Sequence, residues 1–309
     1  MGSPSNSTIA SPGWSEIADS IGHYVSLLKL RPMSAVIYSA VVGLIAARGD
    51  IGAAAAIVAI MCIAGGGFGS AALNMWYESD IDAKMARTAI RALPSGKVKA
   101  TKALMLGSLL CLVSVVTMGL VASWFAAAVL SATIFAYFGL YTIVLKRRTA
   151  LNVVIGGSLA GVLTPLSGWA AASGEISASA IAIFVYVAFW TPPHVWSQAT
   201  FRMADYAKGG VPMLPVTAGV AATQRWILVF TVIHVAAATA PWFTGDAGVL
   251  YIAVSSIAGL VLLAKAAAFM NCRDRRDVVR GAREFFRMSI GYIVVMLTAL
   301  AIDRVILTG

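Results

Sequence analysis

Nine long apolar segments dominate this chain of 309 residues and limit what it can fold into. They fall near 32–49, 51–75, 102–121, 124–145, 150–172, 177–199, 225–244, 248–270 and 286–307. Each segment is long enough to cross a bilayer, because about 20 helical residues span the hydrocarbon core. Hydrophobic residues make up 60% of the chain and charged residues 12%, which is more apolar surface than a soluble domain can bury. The sequence therefore predicts an all-α polytopic membrane protein with nine transmembrane helices.

The connections between these segments alternate between long or charged loops and short turns. The first kind comprises residues 1–31, 76–101, 146–149, 200–224 and 271–285, and the second lies near 48–50, 122–123, 173–176 and 245–247. Of the 23 Lys and Arg residues, only Arg48 and Arg304 fall on the short-turn side. The positive-inside rule then places the N-terminus and the long loops in the cytoplasm and the C-terminus outside. This topology explains the net charge of +10 without nucleic acid as a partner.

The N-terminal residues differ in composition from the rest of the chain. Residues 1–24 are polar, rich in Ser, Pro and Gly, and lack the basic start and cleavage site of a signal peptide. We predict a disordered leader there and a single transmembrane domain over 25–309. The three cysteines, Cys62, Cys111 and Cys272, have neither metal nor disulfide spacing and are predicted to be packing residues.

A run of polar residues ends the second apolar segment. Asn74, Glu78 and Asp82 are four residues apart, so a helix would place them on one stripe. Two carboxylates and an amide at the end of an apolar helix need a cationic partner, and Mg²⁺ is the natural one because it prefers oxygen ligands. The alternative is a solvated helix end that is merely acidic. Asp80 is off this stripe, so its side chain should point away from it or act through a second metal. Asp205 lies on a later loop on the same side of the membrane and is the remaining acid placed to complete a metal site.

Basic residues follow these acids and recur in the next loop of the same side. Arg87 and Arg91 come directly after the carboxylates, as suits a metal-bridged diphosphate whose other oxygens bind cations. Lys146 and Arg147 lie between the fourth and fifth segments and could bind the same phosphates. A basic cluster that only anchors the helices on the cytoplasmic side explains their charge equally well.

The sixth apolar segment contains the string Trp190-Thr-Pro-Pro-His194. Paired prolines remove backbone donors, so we expect a broken helix with His194 beside the break. His194 could act as a base, a metal ligand or a hydrogen-bond donor, or it could be a structural histidine. His234, alone in a later segment, is predicted to be a packing residue.

Together these residues resemble the UbiA-type intramembrane prenyltransferases, and within them the branch that prenylates haem. The superfamily signature Asn-x3-Asp-x3-Asp is matched by Asn74, Glu78 and Asp82, with Glu in place of the middle Asp. The resemblance spans roughly residues 25–307. The haem branch is indicated by longer strings: Asn74-Met-Trp-Tyr, Met85-Ala-Arg87-Thr88, Lys146-Arg147-Arg148-Thr149, Trp190-Thr-Pro-Pro-His194, and Asp205-Tyr206 followed by Gly210-Val-Pro-Met-Leu-Pro215.

The chain departs from the pattern of this branch at three places. Ala92 stands where a proline is usual, Thr164 precedes Pro165 where two prolines are expected, and Ala204 replaces the first of two acids before Tyr206. The last departure removes a possible ligand, so any part of the metal site on this loop would depend on Asp205 alone.

The resemblance implies a reaction in which farnesyl diphosphate and haem B give haem O and diphosphate, supplying the cofactor of haem–copper oxidases. It implies a central cavity open to the cytoplasmic side of a bacterial inner membrane, Mg²⁺ held by Asn74, Glu78, Asp82 and Asp205, and haem A synthase or terminal oxidase assembly factors as partners. Catalytic roles then fall to the same four residues with Lys146 and His194, and diphosphate binding to Arg87, Arg91, Lys146 and Arg147.

Contacts with haem or the prenyl chain are expected from His194, Trp190, Trp196 and Tyr206, although the tryptophans could equally be interfacial anchors. Whether His194 or His234 meets haem iron stays open at this stage. Two other functions remain possible from the residues: a related prenyltransferase for a quinone precursor or a chlorophyll-type ring, and a membrane transporter. A transporter is disfavoured because charged residues are nearly absent midway along the segments.

Overall fold

The structure, a computed structural model, describes residues 14–306, with side chains from Asp19 onward, and this part of the chain contains no strand. Its helices are α1 (Trp14–Leu27), α2 (Leu30–Ala46), α3 (Ala53–Tyr77), α4 (Ser79–Lys84), α5 (Ala100–Val121), α6 (Trp124–Leu145), α7 (Val153–Ser173), α8 (Ala178–Phe201), α9 (Met203–Lys208), α10 (Leu214–Thr217), α11 (Gly219–Ala237), α12 (Ala240–Phe243), α13 (Val249–Met270) and α14 (Arg275–Ile306).

Eight of the described helices are long and apolar enough to cross a membrane, counting α11 and α12 together. Helices α1 and α2 meet at a bend of 50°, and they form a ninth crossing if the two are counted as one span. The predicted all-α, multi-pass architecture is therefore confirmed. The predicted leader is wrong over residues 14–24, which lie in α1, while residues 1–13 lie outside the described part. Apolar residues such as Ile21 and Val25 recur at helical spacing there, as in helices that lie on a membrane surface.

The short turns meet at one end of the bundle. Arg304, near the end of α14, donates hydrogen bonds to the carbonyl oxygen of Ala46 at 2.7 and 3.1 Å and to that of Asp246 at 3.0 Å. Arg48 in turn donates to the Arg304 carbonyl at 3.4 Å. The two basic residues that sequence placed on the short-turn side thus contact each other, as the alternating topology requires.

Helices α2 and α7 pack closely through two glycines. A β-carbon on Gly43 would overlap the backbone of Pro165, and one on Gly168 would overlap the backbone of Ala40. Small residues allow such contact in lipid, where packing rather than the hydrophobic effect holds helices together. This contact fixes α7 against α2 in the half of the bundle that ends at the short turns.

The predicted break at the paired prolines is wrong, because helix α8 is continuous. It runs without interruption from Ala178 to Phe201 through Pro192 and Pro193. Pro192 has no N–H for the carbonyl of Ala188, but the Ser158 hydroxyl on α7 donates to that oxygen at 2.7 Å. A neighbouring helix thus supplies a donor for the group that the proline leaves unsatisfied, so the helix continues.

Candidate active site

The residues Asn74, Glu78 and Asp82, which we call the ladder, are buried at the end of α3. Their exposed fractions are 2%, 4% and 2%. Glu78 is the junction between α3 and α4, yet the helical bonding continues across it, from Glu78 N–H to the Asn74 carbonyl and from Asp82 N–H to the Glu78 carbonyl. The three side chains therefore keep the four-residue stripe. The alternative of a solvated acidic helix end is wrong.

Each member of the ladder binds one basic side chain. Lys29 Nζ donates to Asn74 Oδ1 at 2.6 Å, Lys146 Nζ donates to Glu78 Oε2 at 2.6 Å, and Arg91 donates to Asp82 Oδ2 at 2.7 Å. These cations come from three different segments of the chain. The buried carboxylates are thereby compensated, as burial of charge requires.

The side chain of Asn74 is fixed in orientation by helix α6. Its Nδ2 donates to Thr142 Oγ1 at 3.0 Å, and Thr142 in turn donates to the Tyr137 carbonyl, five residues earlier, at 2.9 Å. This i to i−5 spacing exists because Phe135–Leu145, the second half of α6, is wound as a π-helix. Such windings are rare and concentrate at functional sites. The π segment thus turns Asn74 Oδ1 toward the ladder's cations.

The electrostatics of the Glu78–Lys146 pair favour the charged form of both groups. Burial by itself raises the pKa of Glu78, but the charges of Lys146 and Lys29 outweigh burial, and the net pKa is lowered. Burial lowers the pKa of Lys146, and the charge of Glu78 reverses this, so the net pKa is raised. Glu78 is consequently a carboxylate, available to a cation, at any physiological pH.

Lys29 is a site residue that sequence reasoning missed. It lies between α1 and α2 with φ at 50°, a left-handed conformation uncommon for a residue with a side chain. Its contact with Asn74 crosses 45 positions of the chain. The only signal in the sequence is a lysine flanked by leucines, Leu28-Lys29-Leu30, at the start of the first apolar segment.

Asp80 points away from the ladder, as predicted. It forms two hydrogen bonds with Arg147, at 2.8 and 2.9 Å, and its side chain is 56% exposed. Arg147 also donates to the Tyr77 carbonyl at 2.8 Å and covers the Tyr77 ring at 4.6 Å. Arg147 therefore braces the loop beside the site in this structure, and its contact with diphosphate stays a prediction.

The donor set of the ladder fits a hard divalent cation. All of its ligands are oxygens, and Oε1 of Glu78 is buried, 2.6 Å from Lys146 Nζ and with no donor in hydrogen-bonding geometry among the described residues. Within residues 14–306, however, no three His, Cys, Asp or Glu side chains lie close enough to hold a metal by themselves. Two carboxylates and an amide would bind a metal only weakly, which suits an ion that arrives with a phosphate-bearing substrate.

The structure does not group Asp205 with Glu78 and Asp82 into such a metal site. Asp205 lies on the first turn of α9, half-buried. Its neighbour Tyr206 is close enough to interact electrostatically with Lys146. Helix α9 thus borders the site, while a ligand role for Asp205 stays a prediction.

His194 is held in place by its neighbours on α8 and α14. Its ring stacks between Trp190, at a centroid distance of 4.3 Å, and Phe286, at 4.6 Å. Its Nδ1 is 2.8 Å from the hydroxyl oxygen of Ser289, and Trp190 Nε1 donates to the Ser289 carbonyl. The residue as a whole is half-buried, and these contacts fix the orientation of its imidazole.

Two other predicted positions lie in the core. Trp196 is 2% exposed and packs edge-on against Phe230 of α11, on the side of α8 away from Trp190. A contact of Trp196 with haem or the prenyl chain is therefore not supported by its position. His234 is fully buried, its Nδ1 lies 2.9 Å from the Tyr186 carbonyl oxygen, and it serves packing as predicted.

An apolar cavity of about 270 Å³ lies between helices α2, α3, α6, α7 and α8, and the ladder residues are not part of its lining. Ser70, one turn before Asn74, and Tyr141, beside Thr142, line the part nearest the ladder. Ile63 on α3 lines the far part, eleven residues or about 16 Å from Asn74 along the helix. The buried polar site therefore lies about one helical turn from the near end of an apolar cavity.

Comparison with known proteins places these features in context. The sequence pattern of the UbiA prenyltransferase family matches residues 35–290. A protoheme IX farnesyltransferase of Rhodopseudomonas palustris (strain BisB18) is 47% identical over 287 residues, which cover 93% of this chain and 91% of the relative. Another, of Parvibaculum lavamentivorans, is 42% identical and covers 93% of this chain and 90% of that relative.

Solved structures share the fold. A digeranylgeranylglyceryl phosphate synthase superimposes with a TM-score of 0.74 at 17% identity, over 93% of this chain and 99% of the other. A UbiA homolog from Archaeoglobus fulgidus, bound to DMAPP and Mg²⁺, superimposes with a TM-score of 0.64 at 15% identity, over 88% and 98% of the two chains. At such identities the likeness concerns the fold alone.

Proposed function

Because this chain belongs to the UbiA prenyltransferase family, we propose that it transfers the farnesyl group of farnesyl diphosphate to a vinyl group of haem B, giving haem O and diphosphate. The observation that carries this proposal is the buried ladder near the apolar cavity, in a chain up to 47% identical to protoheme IX farnesyltransferases. The resemblance seen in the sequence agrees with this assignment.

The ladder is the diphosphate end of the site. Asn74, Glu78 and Asp82 would hold Mg²⁺, which would neutralise charge on the leaving group when bound. Lys146 and Arg91, now paired with the carboxylates, are placed to donate to diphosphate oxygens next to the metal, and Arg87 and Lys29 lie beside them. This chain's part in the first step is to stabilise the negative charge that develops as the allylic C–O bond breaks.

The farnesyl tail would occupy the apolar cavity. Its walls come from five helices, and its depth suits a long flexible hydrocarbon whose reactive end stays at the ladder. Tyr137 and Tyr141 stack on each other at 6.0 Å and line the mouth, where their rings face the developing allylic cation. Burial of the chain also keeps water from the cation before the acceptor reacts.

The acceptor would lie beside Trp190 and His194. The vinyl double bond attacks the allylic carbon, a carbon–carbon bond forms, and the positive charge moves to the vinyl carbon next to the porphyrin. Water then adds to that carbon and loses a proton, which leaves the hydroxyl group of haem O. The imidazole of His194, which Ser289 holds in place, would orient that water or accept its proton.

The orientation proposed for the membrane follows from charge. The ladder and all its basic partners lie at the end of the bundle opposite to Arg48 and Arg304, so the site would open to the cytoplasm of a bacterial inner membrane. Delivery of a poorly soluble haem product would then require a membrane partner, and haem A synthase or an oxidase assembly factor fits that need.

The test is a direct comparison of acceptors. The purified chain in lipid nanodiscs is incubated with farnesyl diphosphate, Mg²⁺ and either haem B or 4-hydroxybenzoate, and products are identified by mass spectrometry. We expect the mass of haem O from haem B and no prenylated benzoate. Prenylation of the aromatic acid without any haem O would assign the chain to the quinone branch of the family instead.

A further inference from the structure

A second concave surface adjoins the ladder, between α1, the loop after α4 and the end of α8. Its volume is about 940 Å³, and we call it the cationic cleft. Its basic lining residues are Lys29, Arg31, Arg87, Arg91, Lys97 and Arg202. None of its described lining residues is acidic. Among the described residues, Arg91 alone of these six basic side chains pairs with a carboxylate, that of Asp82, and such an excess of basic groups is the chemistry of an anion-binding site.

Two of these cations already have partners in the ladder, and four do not. Lys29 binds Asn74 and Arg91 binds Asp82. Among the described residues, the side chains of the other four form neither an ion pair nor a hydrogen bond: they are Arg31, Arg87, Lys97 and Arg202. Partial burial lowers the pKa of Arg87, and the nearby charges of Arg202 and Arg91 lower it further, which shows how closely these like charges are held.

The cleft is joined to the apolar cavity by a stripe on α8. Trp190, His194 and Gln198 are four residues apart and so lie on one face of α8, and Arg202 follows four residues later as the residue that caps the helix. Trp190 lines the apolar cavity, whereas Gln198 and Arg202 line the cationic cleft. His194 and Arg202 are eight residues apart, about 12 Å along the axis, which is comparable to the breadth of a porphyrin.

We propose that the cationic cleft binds the two propionate carboxylates of the haem acceptor, through Arg202, Arg31 and Lys97. This inference rests on the proposed function and names the part of the site that recognises the acceptor. A porphyrin lying along the α8 stripe would place its propionate edge at Arg202 and its vinyl edge near His194, one turn from Trp190, which lines the apolar cavity. The guanidinium of Arg202 matches a carboxylate with two parallel hydrogen bonds, and Lys97 adds a mobile charge.

The arrangement also separates the two anions of the reaction. Lys146 touches the ladder and is absent from the lining of the cleft, whereas Arg202, Arg31 and Lys97 line the cleft and form no contact with the ladder. Arg87 and Arg91 stand between the two groups. The diphosphate and the propionates would therefore approach from different sides, with the reacting carbons between them.

The test compares haem B with its dimethyl ester, which lacks both carboxylate charges. The full chain in phosphatidylcholine nanodiscs is titrated with each, and binding is followed by the Soret absorbance without farnesyl diphosphate. We expect Arg202→Gln to raise the Kd for haem B by about tenfold, as for loss of a charged hydrogen bond, and to leave the Kd for the ester unchanged. The matched control is Lys208→Gln, a basic residue of α9 that does not line the cleft and should bind haem B as the wild type does.

Three outcomes would overturn the inference. The first is that haem B and its ester bind the wild type with equal affinity. The second is that Arg202→Gln leaves the Kd for haem B unchanged. The third is that Arg202→Gln raises the KM for farnesyl diphosphate and leaves the affinity for haem B unchanged. That result would mean that the cleft binds the diphosphate. Failure of the proposed function looks different, since the wild type would then form no haem O at all.

Discussion

Lys146 Nζ lies 2.6 Å from both carboxylate oxygens of Glu78, a residue 68 positions earlier in the chain. The pair joins the end of α6 to the end of α3 near the apolar cavity. Among the described residues Lys146 is the only basic side chain paired with this carboxylate, so a cation that arrives with substrate would take its place there. The same lysine can then turn to the diphosphate, so the pair holds the site ready in the absence of ligand.

The Lys146–Glu78 pair predicts a pH dependence of stability. The pKa of Glu78 in the folded protein is depressed, so its ionised form stabilises the fold above the unfolded pKa of about 4.5, and this contribution is lost as the pH falls through the lower folded value. Without metal, the thermal midpoint of the wild type should not change between pH 5 and 8 on account of Glu78.

Replacing Lys146 by Met should reverse the sign of this pH dependence of stability. Burial, the largest influence on Glu78, is then opposed by Lys29 but no longer by Lys146, so the folded pKa should rise. The variant should lose stability as the pH increases above about 4.5, and scanning calorimetry in EDTA would measure this. Parallel curves for the variant and the wild type would show that Lys146 does not control the charge of Glu78.

Arg304 is expected to stabilise the folded protein without affecting the rate of the reaction. It is 6% exposed, satisfies the carbonyls of Ala46 and Asp246, and pairs with the Asp246 carboxylate at 3.4 Å, at the end far from the ladder. Arg304→Gln should cost about 3–5 kcal/mol of unfolding free energy, as for a broken buried pair. Thermal unfolding in detergent measures it, while turnover per folded molecule should stay at the wild-type rate.

The control for Arg304 is Arg280→Gln. Arg280 forms an exposed pair with Asp277 at 3.0 Å, and such pairs contribute about 0–1 kcal/mol. Equal thermal shifts in the two variants would contradict the assignment of Arg304 as the residue that ties the short-turn end together.

The far end of the apolar cavity predicts selectivity for prenyl length. Leu130 and Ile63 line this end and are 1% and 2% exposed. Leu130→Ala should lengthen the cavity and raise kcat/KM for geranylgeranyl diphosphate relative to farnesyl diphosphate by about tenfold, since one or two methylenes account for about 1–3 kcal/mol of discrimination. The matched control, Leu109→Ala on α5, removes an exposed side chain and should leave the ratio unchanged. An unchanged ratio in Leu130→Ala would place the end of the tail elsewhere.

The sequence was sufficient for the features that depend on local composition. The apolar segments predicted most of the long helices to within a few residues, although α14 begins at Arg275, well before the predicted start at 286. The four-residue spacing of Asn74, Glu78 and Asp82 predicted a shared stripe that the structure retains. Both signals are short in range: hydropathy marks a helix, and spacing marks its face.

The partners of the ladder could not be predicted in the same way. Lys29 and Lys146 reach it across 45 and 68 positions, and only the packing of α2, α3 and α6 brings them there. The paired prolines gave a wrong expectation for the same reason, because the donor that keeps α8 intact is Ser158 on α7. Contacts between residues far apart in the sequence determine these features, and local sequence patterns do not reveal such contacts.

The most direct measurement is the rate of haem O formation by three variants in nanodiscs, with saturating farnesyl diphosphate, haem B and Mg²⁺. Glu78→Gln and Asp82→Asn each remove one charge from the ladder, whereas Asp80→Asn removes one from the exposed acid beside it. The first two should lose about 10²–10³-fold in kcat, as when a group that stabilises transition-state charge is removed. Asp80→Asn should stay within about twofold of the wild type, as for an exposed pair. Wild-type rates in Glu78→Gln and Asp82→Asn, with the protein folded, would contradict the role of the ladder.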